Sequence, residues 1–293
     1  MADYSNAHSR KKGGRGWRAV FVIALIVLIA SLVALGVIAF SYFQGQWKYG
    51  KVADDSGFDP NDNAGVAELN VDWDALLAVN GDTVAWLYVP NTNINYPVVR
   101  GEDNEYYLTH DFDGTAGWLA NYGSVFMDYR NNPDWSDELY FLYGHHMNDG
   151  SMFTDVAAMT DQARFDECRT VYVLSPKGNF KLRTFAMVHV AADDPLVQPG
   201  FATPEDMAAY VQDKVNRSVV EPGKLPDVSK IKKAFAFATC DNLYSDGRYV
   251  LYAYVEETSA EGLSGDLGIT ADDGQANGFV NDLMVEDEEQ EMP

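Results

Sequence analysis

"AFAFATCDNLYSDGRYVLYAY", residues 234–254, sets a single cysteine, Cys240, between two runs that read as β-strands. Eight residues on, Arg248 opens the second run. A core cysteine needs no arginine beside it. A thiol that attacks a carbonyl does, because the oxygen turns negative as the thiolate adds and must be met by hydrogen-bond donors. An arginine keeps its charge throughout such a cycle.

Working outward, β-type segments dominate residues 83–256: "TVAWLYVP", "INYPVV", "GSVFMDY", "LYFLYG", "TVYVLS" and "NFKLRTFAMVHVAA" precede the opening stretch. Clusters of Gly, Asn, Asp and Pro separate them. Helical patterns interrupt them at 68–82, 152–165 and 203–218. The last has strong start signals: Thr203 as N-cap, Pro204 at the first helical position, and Glu205 and Asp206 in the first turn. Many strands, few helices and no βαβ spacing predict an antiparallel barrel with helical insertions.

The 293-residue chain carries a formal net charge of −23, which excludes a nucleic-acid binder with a basic face. The basic residues Arg10, Lys11, Lys12, Arg15 and Arg18 gather in segment 1–18, against Asp3 alone. Residues 19–43 contain no charge and are long enough to cross a bilayer as a helix. The apolar run exceeds a signal-peptide core and offers no cleavage site, so it reads as a single-pass membrane anchor. The positive-inside bias puts the N-terminus in the cytoplasm and the bulk of the chain outside. Residues 44–66 read as a linker, 67–258 as the catalytic domain, and 259–293, with ten acidic residues and no basic one, as a solvated disordered tail. Acidic clusters such as "DNAGVAELNVD" lack the spacing of a calcium loop. No metal or cofactor is expected.

A thiol needs a base or a lowered pKa. His8 lies on the wrong side of the membrane, His189 falls within a strand pattern, and His110 sits in a turn. His145 and His146 follow Gly144 at a strand end, where barrels carry function. Cys168 has no comparable surroundings. A bond between it and Cys240 would silence the nucleophile and leave a non-catalytic binding module.

Taken together, "YGHHMNDGSMF" (143–153), "FATCDN" (237–242) and "GRYVLYAYV" (247–255), in that order behind a membrane anchor, resemble a class B sortase. The stretches "NTNINYPVVRGEDNEYYLTHDFDG" (91–114) and "GSVFMDYRNNPD" (123–134) fit the same likeness, which covers about residues 68–256. The resemblance implies a mainly β fold: a closed eight-stranded sortase barrel with an N-terminal helix and a helical insertion before the last two strands. It implies a cysteine transpeptidase that cuts an L/N-P-x-T-G/N sorting signal near the C-terminus of a surface protein. It selects His145, Cys240 and Arg248 as the catalytic residues, His145 because the family histidine directly follows the glycine. Thr239 and Asp241 would touch substrate. The acceptor would be an amine of a lipid II-like cell-wall precursor or of a pilin lysine, in the envelope of a Gram-positive-type bacterium. Hydrolysis of the thioester by water would need the same three residues. Ala236 and Phe237 stand where the family often has Thr and Leu, which bears on the preferred signal.

Overall fold

The structure, a computed structural model, describes residues 15–60, 65–116, 122–191, 194, 197–240 and 247–260, with the side chains of Arg15 and Cys240 excepted. Helix α1 (Arg15–Asp55) is followed by α2 (Trp73–Val79) and then by a barrel. Strands β1 (Thr83–Tyr88) and β2 (Asn95–Val99) form a hairpin. A short helix, α3 (Tyr106–Thr109), lies in the crossover to β3 (Val125–Met127), and β4 (Leu139–Tyr143) follows. Helices α4 (Thr154–Ala158) and α5 (Gln162–Glu167) lead into β5 (Thr170–Leu174) and β6 (Phe180–Ala191). Helix α6 (Pro204–Arg217) precedes the final pair, β7 (Ala234–Cys240) and β8 (Gly247–Thr258). The pattern over 152–165 predicts one helix; two form, because Asp161 takes up the Arg164 N–H and starts a new helix there.

The eight strands close in the order β1-β2-β3-β4-β7-β8-β6-β5, with β5 returning to β1. Most pairs are antiparallel, as the strand pattern predicts, but β2–β3 and β4–β7 are parallel. A parallel pair needs a long connection, and here irregular crossovers supply it instead of the regular βαβ helix that a sequence pattern reveals.

Strand β7 shows why the sheet is stable on both faces. Phe235 and Phe237 point into the barrel, where Phe235 stacks with Tyr140 (centroids 5.3 Å apart) and meets Trp135 and Phe180. Ala234, Ala236 and Ala238 face outward and join Leu139, Phe141, Val250 and Tyr252. The small side chains leave room for Met207 and Val211 of α6, which seals that outer face.

Residues 44–55, expected as part of a linker, instead continue α1 without a break. Tyr42, Tyr49, Val52 and Ala53 form one helical face against the core. Tyr49 is buried; its hydroxyl donates to the Gly123 carbonyl and accepts the Phe112 N–H at 3.2 Å. Lys48 bonds Asp111 at 2.8 Å, Asp113 at 3.2 Å and Thr115 at 2.6 Å. Glycine and aspartate content suggested a linker, but the aromatic spacing wins because each tyrosine finds a partner on the barrel. The expected tail lies almost wholly outside the described residues, as does most of the basic N-terminal segment.

Helix α6 carries the capping box that its sequence predicts: Thr203 Oγ1 accepts the Asp206 N–H at 3.2 Å, and Asp206 Oδ2 accepts the Thr203 N–H at 3.1 Å. Thr203→Ala should cost about 1 kcal/mol. Thermal denaturation of the full chain should show the melting temperature falling by about 2–4 °C.

Candidate active site

Three neighbouring strands set the site. The parallel register of β4 and β7 runs from Leu139 beside Ala234 to Tyr143 beside Ala238. The Gly144 N–H, donating to the Ala238 carbonyl at 3.2 Å, closes that last pair. His145 lies two residues past Tyr143, and Cys240 two residues past its partner Ala238. On the other flank Cys240 pairs with Arg248, the terminal pair of β7 and β8. By register Arg248 shares a face with Val250, just past the surface that α6 covers.

The His145 ring is held from behind. Its Nε2 lies 2.7 Å from the Leu108 carbonyl oxygen. A carbonyl only accepts, so Nε2 carries the hydrogen and Nδ1 is the nitrogen able to take up a proton. Gly123 packs against the same ring. Its φ of +55° is a left-handed conformation, and a Cβ there would come within 2.6 Å of the Tyr107 oxygen, 2.9 Å of the Leu108 oxygen and 3.1 Å of His145 Cδ2. The chain after the ring closes on itself, the Phe153 N–H donating to the His145 carbonyl at 2.8 Å and His146 bridging to Met152.

A buried carboxylate supports the outer flank. Asp128 is fully buried and accepts from Arg130 Nε at 2.9 Å and Nη2 at 3.0 Å, from Asn104 Nδ2 at 2.8 Å and from the Tyr143 hydroxyl at 3.0 Å. Burial alone would raise its pKa; the bonds from Arg130, Asn104 and Tyr143 outweigh that and hold it below the usual carboxylate range. Burial, and then the Asp128 charge, push the Tyr143 phenol up, while the Arg248 charge works the other way, so the half-buried guanidinium lies within electrostatic reach of Tyr143.

Of the other expected residues, Thr239 is buried and pairs with Tyr249 in the ladder, and its hydroxyl has no hydrogen-bond partner among the described residues. Asp241 lies outside them. His110 stacks on Tyr106 with centroids 3.9 Å apart, and its Nδ1 lies 2.8 Å from that residue's carbonyl oxygen. His189 sits in β6 against Tyr249. Cys168 is a free thiol, buried, and burial pushes its pKa up. Among the described residues no three His, Cys, Asp or Glu side chains cluster as metal ligands would. Gly123, Leu108, Asp128 and Tyr143 were missed from the sequence. Their only signal is that they fall in the segments at 91–114, 123–134 and 143–153 that carried the resemblance.

A closed barrel of this strand order, with a cysteine at the end of β7, defines a class of cysteine transpeptidases. A family model for the Sortase domain matches residues 87–256. Sortase B of Listeria monocytogenes is 33% identical over 178 residues, which span 60% of this chain and 70% of that protein. The sortase B structure from Clostridium perfringens superposes with a TM-score of 0.57 at 26% identity, over 62% of this chain and 97% of that one. A sortase B-like structure from Bacillus anthracis superposes with a TM-score of 0.61 at 26% identity, over 73% of this chain and 96% of that one. The chain belongs to the sortase family, with its similarity running to class B, and is a cysteine transpeptidase.

Two outcomes test the supports. Gly123→Ala should lower kcat on a fluorogenic sorting-signal peptide by about 10–100-fold through a displaced His145, with a smaller change in KM. Asp128→Asn should destabilise the chain at pH 7 by about 1–3 kcal/mol in denaturant titrations. Because folding depresses the Asp128 pKa, its contribution is complete above the unfolded value near 4. The gap between native chain and variant should therefore close as the pH falls through the lower, folded value.

Proposed function

We propose that Cys240 is the nucleophile, His145 the general acid and base, and Arg248 the oxyanion and substrate-backbone donor in this transpeptidase. The observation that supports the reading is that Cys240 pairs with Arg248 on β8, while His145 follows Tyr143, whose β7 partner Ala238 lies two residues before Cys240. The Cys240 thiolate adds to the carbonyl of the signal's threonine, and the negative oxygen accepts hydrogen bonds from Arg248. As the tetrahedral intermediate collapses, the C–N bond breaks and protonated His145 gives its Nδ1 proton to the departing amine. A thioester remains. Neutral His145 then takes a proton from an incoming amine, which attacks the thioester carbonyl and expels the thiolate. Each cycle returns the proton and the sulfur to their starting states.

The substrate is a surface protein with an L/N-P-x-T-G/N type signal, and the acceptor is an amine of a lipid II-like cell-wall precursor or a pilin lysine. Two structures of the same fold support an amine acceptor and a peptide donor: one is a sortase B complexed with triglycine, the other a Staphylococcus aureus sortase B–substrate complex. Helix α1 is long and apolar enough to cross a membrane. The basic residues that precede its uncharged run favour a cytoplasmic N-terminus and an external barrel in a Gram-positive-type envelope. The free state of Cys168 leaves no internal thiol partner for Cys240, which favours a catalytic domain over a binding module.

In an assay with a fluorogenic sorting-signal peptide, Cys240→Ala should abolish cleavage, and Arg248→Lys should lower kcat by about 10²–10³-fold. Full turnover by the alanine variant would overturn the assignment. Mass analysis of the product with triglycine present should show the amide adduct and not the free acid alone.

A further inference from the structure

Past the membrane, α1 does not lie flush on the barrel along its whole length. Between it, the β1–β2 turn and the turn at 149–151 opens a cleft of about 440 Å³. That is the size of a small-molecule site.

Two glycines of α1 separate packing from vacancy. Gly45 lies under the Tyr122 ring, which a Cβ would strike, so packing accounts for it. Gly50 lines the cleft, and a Cβ there would meet nothing within 4 Å. A glycine inside a helix costs helix stability. With no neighbour to require it, its use at position 50 is to let a ligand approach the helix backbone closely.

The lining states the ligand's chemistry. Tyr49, Tyr96 and Tyr122 supply aromatic rings, and among the described residues no Lys, Arg or His contributes. The one carboxylate among them is Asp149. It accepts from Gln46 Nε2 at 3.1 Å, from the Ser151 N–H at 3.1 Å and hydroxyl at 2.5 Å, and from the Tyr122 hydroxyl. All of these donors are neutral, so they keep the carboxylate ionised without cancelling its charge. A negative, aromatic cleft recognises an ammonium group and rejects a phosphate.

Its position states where that group comes from. Gly50 follows the end of the uncharged run at Phe43 by seven residues, or about 10 Å along the helix. That is just outside the headgroup layer, which reaches about 5–8 Å beyond the hydrocarbon core. Asp149 also belongs to the loop that carries His145, closed by the bridge between His146 and Met152. We propose that this cleft docks the ammonium-bearing acceptor while it is still tethered to a membrane lipid, and so holds it beside the His145 loop. The assignment rests on the transpeptidase reading and adds a second site to it.

The test uses the full chain in detergent micelles and a short-chain diacyl lipid capped with triglycine, titrated calorimetrically. The native chain should bind it saturably. Gly50→Leu, which fills the cleft from a position with open space, should raise Kd about tenfold, and N-acetylation of the triglycine should do the same to the native chain. Equal affinity in Gly50→Leu and for the acetylated lipid would overturn the proposal. Equal competition by short-chain phosphatidylethanolamine would make bulk aminolipid the occupant and overturn the acceptor assignment. Binding is read here without turnover, so cleavage of the sorting-signal peptide in the same micelles reports separately on the catalytic reading.

Discussion

The parallel pairing of β4 with β7 is the constraint on which the rest depends. A chain of this length has many ways to bring a histidine near a cysteine, but few hold the two in fixed register. Here the ladder from Leu139–Ala234 to Tyr143–Ala238 leaves no freedom in how far β4 can slide. A slip of one residue would turn Phe235 and Phe237 out of the barrel and drive Ala236 and Ala238 in. The aromatic cluster of Trp135, Tyr140, Phe180 and Phe235 thus fixes where the ends of β4 and β7 fall, and with them the segments that carry His145 and Cys240.

Two polar arrangements extend that constraint to the strand ends, where the ladder stops. Asp128, buried and charged, ties Tyr143 to Asn104 and Arg130, so the last residue of β4 is anchored by hydrogen bonds as well as by packing. A buried carboxylate is stable only when its oxygens are filled, and five N–H and O–H donors, the Arg130 backbone N–H among them, fill these. On the opposite side, the C-terminal part of α1 grips the Phe112 and Gly123 backbones through Tyr49. Helix α1 and the residues behind His145 are therefore parts of one packed unit.

Much was legible in the chain itself. The uncharged run 19–43, the start signals of α6 and the strand-end placement of His145, Cys240 and Arg248 all come from local chemistry: side-chain polarity, cap hydrogen bonds and turn residues. Each needs only a few neighbouring positions to be read. The continuation of α1 through residues 44–55 was not legible, because a helix there is held by tyrosines whose partners lie 60 or more residues away in the chain. The division of 152–165 into two helices turned on a single cap at Asp161.

What the sequence determined alone was the inventory: a membrane-length helix, a β-rich domain with a capped helical insertion, and the three side chains suited to thiol chemistry. Which of them stand side by side was decided by tertiary structure. Two parallel pairings join segments with no local signal for meeting, since the energy that favours them comes from closing the barrel around a shared aromatic core. The same holds for Gly123, Tyr143 and Asp128. Their roles exist only once carbonyls, rings and charges from distant segments have been brought within a few ångströms of one another.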